Sequence, residues 1–474
     1  MLEQLCFLSA HELLRRYRSR ELSPVEVTQA VLERIATHNP SVNALYFVDA
    51  QGALAAARGA EARWLRREPQ GLLDGVPVTI KDSFFVAGMP TFHGTKAYAQ
   101  LPIPERDSPA SARLREHGAL ILGKTTMPDF GVIASGLSSA YGVTRNPWNA
   151  QCNSGGSSSG AGAAVAAGFG ALAVGSDIGG SVRIPAAFCG IVGLKPSYGR
   201  VPLDEPCTAL VAGPMARTVA DAALLLNVIS GPDPSDYTAL PWDGRDYLQG
   251  IDAGVRGLRF GLLTDMGFGL PLEPDVKERI ESAASVLAAL GAKVEAMPPI
   301  FGEDPEPYFD RMMQAYACYD FHLLTREQQQ TVLPEIRDWC RAGETMSAAE
   351  LTRAHVGIAN TRRRVLAACA KYDYVLAPTM ALAPYPAQLP WPPGGTRHNP
   401  FCFPFNLSEQ PALSVCCGLT RRALPVGLQI IGKRFDDAGV LRVAYAYEAA
   451  RPPLRGAGPL TTMQIEEDAA ASIA

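Results

Sequence analysis

The chain has 474 residues, 47% hydrophobic and 19% charged, and its 43 Lys+Arg against 47 Asp+Glu leave a formal net charge of −4. That composition supplies a sizeable core and excludes a disordered chain, and it offers no basic excess to hold nucleic acid or an anionic membrane. The ten cysteines have no C-x-x-C spacing and fit reduced thiols. Met1-Leu2-Glu3-Gln4 lacks the basic start of a secretory signal, so the expected location is the cytoplasm.

The first 70 residues read as helical. Ser9-Ala10-His11-Glu12 and Ser23-Pro24-Val25-Glu26 have capping-box spacing, the second with proline at the first helical position. A third helix is predicted over 52–67. From there strands and helices alternate: strand 76–80, helix 108–117, strand 119–122, helix 161–168, strands 171–175 and 191–194, and a helix that begins after Thr218 and runs through Ala220–Ile229. After the breaker Gly231-Pro232-Asp233-Pro234 come strand 258–263, helix 274–290 and strand 293–296. Residues 303–372 read as helical. Short strands follow at 374–376, 413–416 and 425–431, with a closing helix at 437–449. Residues 378–400 are Pro-rich and irregular, a surface loop or the rim of a site. The tail after Pro459 is expected to fray. The alternation predicts an α/β fold with a large mixed, largely parallel sheet flanked by helices on both faces. One domain over 1–474 is expected, with a helical insertion at about 303–372.

No charged residue lies between Arg145 and Asp177. The apolar part of this stretch, 161–174, is too short and Gly-rich to span a bilayer. Small uncharged residues instead permit backbone to pack on backbone inside the fold.

Two motifs mislead. Gly118 to Thr125 matches G-x-x-x-x-G-K-T, but its central residues are apolar and read as a strand, whose N–H groups are committed to a sheet and not to phosphates. Gly156-Ser-Ser-Ser-Gly160 matches the G-x-S-x-G elbow. The residues before it make a poor strand, and the downstream histidines, His322, His355 and His398, have no telling context. No spacing for metal ligands occurs.

The informative blocks are 153–168 and 175–190, two Gly/Ser-rich turns around a small-residue helix. In the second, successive N–H groups at Ile178, Gly179, Gly180 and Ser181 can converge on one point, because glycine permits the unusual dihedrals a nest needs. A serine at the end of such a nest sits beside a ready oxyanion hole. Lys81 closes an apolar strand, where desolvation would leave a neutral amine able to accept a proton. Taken singly, these are ordinary turn serines and a solvated strand-end lysine.

Taken together, the segments 73–82, 153–168, 175–196, 213–219 and 424–432 resemble the amidase signature family of serine hydrolases. The resemblance covers most of the chain. It implies a Ser–cis-Ser–Lys triad, with Ser181 as nucleophile, Ser157 bridging after a cis peptide and Lys81 as base. The amides of Ile178, Gly179 and Gly180 are implied for the oxyanion. Ser159 stands where the family pattern has glycine. Asp177 and Arg183 are expected to brace the loop as a buried pair, Ser158 to brace it by hydrogen bonds, and Lys195, Asn406 and Gln429 to be structural.

The expected reaction is hydrolysis of a small-molecule amide through an acyl-enzyme, with no metal or organic cofactor. A homodimer is compatible with this reading. The alternative is a protein resembling the A-type component of the tRNA-dependent amidotransferases, which supplies ammonia to a partner. That component usually carries Ser-Leu-Asp-Gln where this chain has Thr208-Ala-Leu-Val-Ala212. Specificity is expected to lie in 300–325 and 380–405, where Tyr308, Phe309, Tyr316, Tyr319, Phe321, Trp391, Phe401 and Phe403 either line an acyl pocket or fill the core.

Overall fold

The computed structural model describes residues 2–395, 398–452 and 460. Eleven strands form one sheet: β1 (Leu45–Val48), β2 (Pro77–Lys81), β3 (Leu120–Thr125), β4 (Leu172–Asp177), β5 (Val192–Lys195), β6 (Val211–Ala216), β7 (Arg259–Leu262), β8 (Lys293–Ala296), β9 (Tyr374–Pro378), β10 (Ala412–Leu419) and β11 (Pro425–Ile431). Their spatial order is β1-β3-β2-β4-β6-β5-β10-β11-β9-β7-β8. The sheet is mixed, as expected, and its parallel pairing is concentrated in two blocks, β3-β2-β4 and β9-β7-β8. From β4 through β9 the neighbours run antiparallel. The strands on either side of Gly231 join this same sheet.

Helices cover the sheet. The helix Ser159–Ala167 is buried along its whole length and packs on β2, β3, β4 and β6. Its glycines explain the long uncharged stretch. A Cβ on Gly160 would lie 2.2 Å from the Ala44 carbonyl oxygen and 2.4 Å from the Thr126 nitrogen, closer than any real Cβ contact, so only glycine lets these backbones meet. Helices Val219–Ile229, Pro274–Ala289 and Asp437–Ala450 form a second packed group. The expected insertion is four helices, Glu306–His322, Arg326–Thr331, Pro334–Arg341 and Ala348–Cys369.

Several local expectations change. The box at Ser23 is complete, whereas at Ser9 only half forms: the serine accepts from the Glu12 amide at 3.1 Å, but the Glu12 carboxylate turns to Arg15 and Arg16. The strand expected at 119–122 continues through Thr125, and Lys124 is fully buried with its ammonium on the Phe84 carbonyl at 2.6 Å and Thr91 Oγ1 at 2.7 Å. That arrangement removes the phosphate-loop match. Asn149–Asn153, judged a poor strand, pairs with Arg145–Asn146 in a small ribbon. Of the tail, only Leu460 is described. It is buried, and its amide donates to the Pro147 carbonyl. The rest lies outside the described residues.

Among the described residues, no helix is long and apolar enough to cross a membrane.

Candidate active site

Three segments meet at the carboxyl ends of β2 and β4. The two strands are parallel neighbours, with Ile80 opposite Val174, so Lys81 at the end of one lies beside Ser176 at the end of the other. Open α/β sheets place their ligand sites at such strand ends. The third segment is the Gly/Ser turn before the helix Ser159–Ala167. Its Gly156–Ser157 peptide is cis.

Lys81 is fully buried. Its Nζ contacts Ser157 Oγ at 2.8 Å and Ser176 Oγ at 2.9 Å, with the Ser176 carbonyl at 3.4 Å. Burial drives its pKa down to about 7, against the opposing pull of Asp177 and Asp82. A sizeable neutral-amine fraction is therefore present near neutral pH.

The loop carrying Ser181 is sutured to the Ser157 turn: the Ser158 amide donates to the Ser181 carbonyl at 3.1 Å, and Ser158 Oγ donates to the Ser176 carbonyl at 3.1 Å. The central serine of the G-x-S-x-G match is thus a brace, buried and turned into the fold. Gly131 presses in from a third side, since a Cβ there would sit 3.2 Å from Ser157 Oγ.

Asp177 organises the loop from below. Its Oδ1 accepts the Gly180 amide at 2.8 Å and its Oδ2 the Val182 amide at 3.1 Å. Burial pushes the carboxyl up, but the Arg183 guanidinium and the Asn406 amide outweigh it and hold it well below the usual carboxylate range. Arg183 also reaches Gln429 Oε1 and the Cys402 carbonyl. Asn406 donates to Asp177 Oδ1 at 2.8 Å and Gln429 to the Phe401 carbonyl at 2.6 Å. The bracing expected of these residues is present.

Of the amides expected to face an oxyanion, that of Gly180 donates to Asp177 Oδ1. Among the described residues no protein acceptor takes the amides of Ile178, Gly179 or Ser181.

Phe309 and Phe403 stack at 5.0 Å between centroids, and a Cβ on Gly179 would lie 3.3 Å from the Phe309 ring. These two rings therefore stand against the glycine loop, in one cluster with Ile178 and Trp391. Phe321 is buried in the same cluster, further along the helix Glu306–His322, and Phe401 belongs to a separate core. Tyr308, Tyr316 and Tyr319 are exposed, so they fill neither the core nor an enclosed pocket. Sequence reasoning passed over Ser176, whose contact with Lys81 depends on a pairing between strands some 95 residues apart.

The family profile described as Amidase matches residues 26–441. The chain is 36% identical to the acylamidase of Rhodococcus erythropolis, over 95% of this chain and 97% of that one. It is also 36% identical to the A-type component of the glutamyl-tRNA(Gln) amidotransferase of Myxococcus xanthus (strain DK1622), over 96% of this chain and 100% of the other. Its fold is similar to that of a bacterial aryl acylamidase of the amidase signature enzymes, with a TM-score of 0.88 and 30% identity over 94% and 96% of the two chains. A mixed-sheet α/β hydrolytic enzyme with a buried lysine between serines is the class these observations define. The chain belongs to the amidase signature family.

Proposed function

We propose that this chain is a stand-alone amidase acting on a linear carboxylic amide, with Lys81, Ser157 and Ser181 as its catalytic residues. The observation that carries this reading is the 2.8 Å contact between Lys81 Nζ and Ser157 Oγ in a fully buried setting. Ser181 Oγ attacks the amide carbon. Its proton passes to Ser157 Oγ, and the Ser157 proton passes to the neutral Lys81 amine. The amides of Ile178, Gly179 and Ser181 hold the developing oxyanion. As the tetrahedral adduct collapses, Ser157 delivers a proton to the leaving nitrogen and recovers one from Lys81. Water then hydrolyses the Ser181 ester by the same relay, releasing the carboxylate. The ten cysteines have no paired spacing, which supports a reducing location such as the cytoplasm.

Ser181→Ala should abolish hydrolysis of small amides while the protein stays folded. A phosphonylating or sulfonylating reagent should label Ser181. Labelling of Ser158 instead would overturn the assignment.

The similarity to the amidotransferase component supports a second reading, release of ammonia from glutamine for a partner. The Thr208–Ala212 segment, which departs from that component's usual sequence, weighs against it. The purified chain alone should hydrolyse an aliphatic or aryl amide. Activity that needs glutamine and a second protein would favour the alternative.

A further inference from the structure

Lys81 has a second hydroxyl branch that the proposed relay does not use. On one side its Nζ meets Ser157 Oγ. On the other it meets Ser176 Oγ at 2.9 Å and the Ser176 carbonyl at 3.4 Å, and Ser176 Oγ lies 3.3 Å from Ser83 Oγ. Ser176 is buried, and Ser83 is half-buried.

A neutral lysine amine has two N–H donors and one lone pair. To accept a proton from Ser157 the lone pair must face Ser157 Oγ, so both N–H bonds must be engaged elsewhere. The oxygens of Ser176 are the acceptors in reach. A hydroxyl can also rotate and donate, however, and a Ser176 O–H turned towards Nζ would compete with Ser157 for the lone pair. Ser83 offers that proton another acceptor. We propose that Ser176 and Ser83 form a second hydroxyl branch that holds the Lys81 amine with its lone pair on Ser157, which makes both serines positioning residues for the reaction.

The branch also affects the charge on the amine. The charged groups facing Lys81 are Asp177, at the end of β4, and Asp82, its own neighbour. Both favour the ammonium, as does acceptance of its N–H by Ser176. Removing the Ser176 hydroxyl takes away one acceptor of the charged form, so the amine should deprotonate at lower pH. Removing Ser83 frees the Ser176 proton to bind the lone pair, which favours the neutral form and moves the titration the same way.

This inference rests on Lys81 being the base, and the experiment separates the two claims. Kinetics against a small amide would be measured over pH for Ser176→Ala, Ser176→Thr, Ser83→Ala and Lys81→Ala. Ser176→Ala should lower kcat about 100-fold, the scale of a misaligned reacting group, with KM little changed and the acid limb moved to lower pH. Ser176→Thr, which restores the hydroxyl, should recover most of the rate. Ser83→Ala, a change at a half-buried site that leaves the fold intact, should give a smaller loss with a shift in the same direction. Parental kcat and an unmoved acid limb in Ser83→Ala would overturn the branch, as would a Ser176→Thr variant no better than Ser176→Ala. Full activity in Lys81→Ala would instead overturn the base assignment itself.

Discussion

Arg183 meets Asp177 at two points in the interior: Nε donates to Oδ2 at 3.0 Å and Nη2 to Oδ1 at 2.9 Å, with neither side chain exposed. The same carboxylate takes the amides of Gly180 and Val182. The shape of the loop around Ser181 is thus set by a buried carboxylate that binds its amides and is held in place by the charge pair.

Breaking that pair should be costly. Arg183→Met leaves Asp177 charged and buried, a situation worth about 3–5 kcal/mol of stability. Arg183→Lys should fail nearly as badly, because an ammonium cannot supply the planar fork that meets two oxygens and reach Asn406 and Gln429 as well. Denaturant unfolding and amide hydrolysis should fall together. A fully active Arg183→Lys would show that the loop holds its shape without the fork.

The acid limb of kcat/KM should follow the coupled Lys81–Ser157–Ser181 group. The lysine is protonated below its pKa, so activity should be lost as pH falls through about 7, the region where general-base catalysis is most effective. Lys81→Arg should be inactive, because guanidinium stays protonated. A limb in the carboxylate range would point to a different base.

The same burial affects stability, with a definite sign. The folded pKa of Lys81 lies below its ordinary 10.5, so between about 7 and that value the unfolded chain binds more protons and this residue's contribution to stability rises with pH. The slope is at most about 1.4 kcal/mol per pH unit for one group. Lys81→Met removes the term. The variant should be more stable than the parent at pH 7, and its advantage should shrink as pH climbs towards 10. Urea unfolding at several pH values measures this directly, and a constant difference would mean that Lys81 is not held neutral. Lys195, also driven down to about 7 by burial and by Arg183, should behave in the same way.

Gly180→Ala tests the loop's fit. Gly180 has φ +119, and an added Cβ would lie 2.7 Å from Cys402 Cβ and 2.8 Å from Ile184 Cδ1. Both conformation and space oppose it, at about 1–3 kcal/mol for overpacking. The shift should also disturb the neighbouring amides, so kcat should drop more than stability alone explains. An active, equally stable variant would mean that the loop can move aside freely.

The candidate site was largely legible in the sequence because its residues lie in three short segments whose chemistry depends on local order. Lys81 closes a strand, Ser157 follows paired glycines and Ser181 ends a glycine nest. What escaped depended on distant partners. Ser176 acquires its role only through the pairing of β2 with β4, which brings it to Lys81 from 95 residues away. In the fold, β6 went unseen because Gly213-Pro214 looks like a turn. β5 reaches it only at Met215 and Ala216, which leaves one side of Pro214 outside the ladder, an edge-like position where proline fits. β1 lies within the first 70 residues, between two helices, where the capping boxes make the whole stretch read as helical.

The reach of Arg183 also fixes when during synthesis the enzyme can become active. Its partners Asn406 and Gln429 lie 223 and 246 residues downstream. A nascent chain that has already exposed Lys81, Ser157 and Ser181 still lacks the groups that clamp the loop, and on the proposed mechanism it should stay latent until Asn406 and Gln429 have been added. Hydrolysis during cell-free translation should therefore begin only after Gln429 has left the ribosome, long after Ser181 has done so.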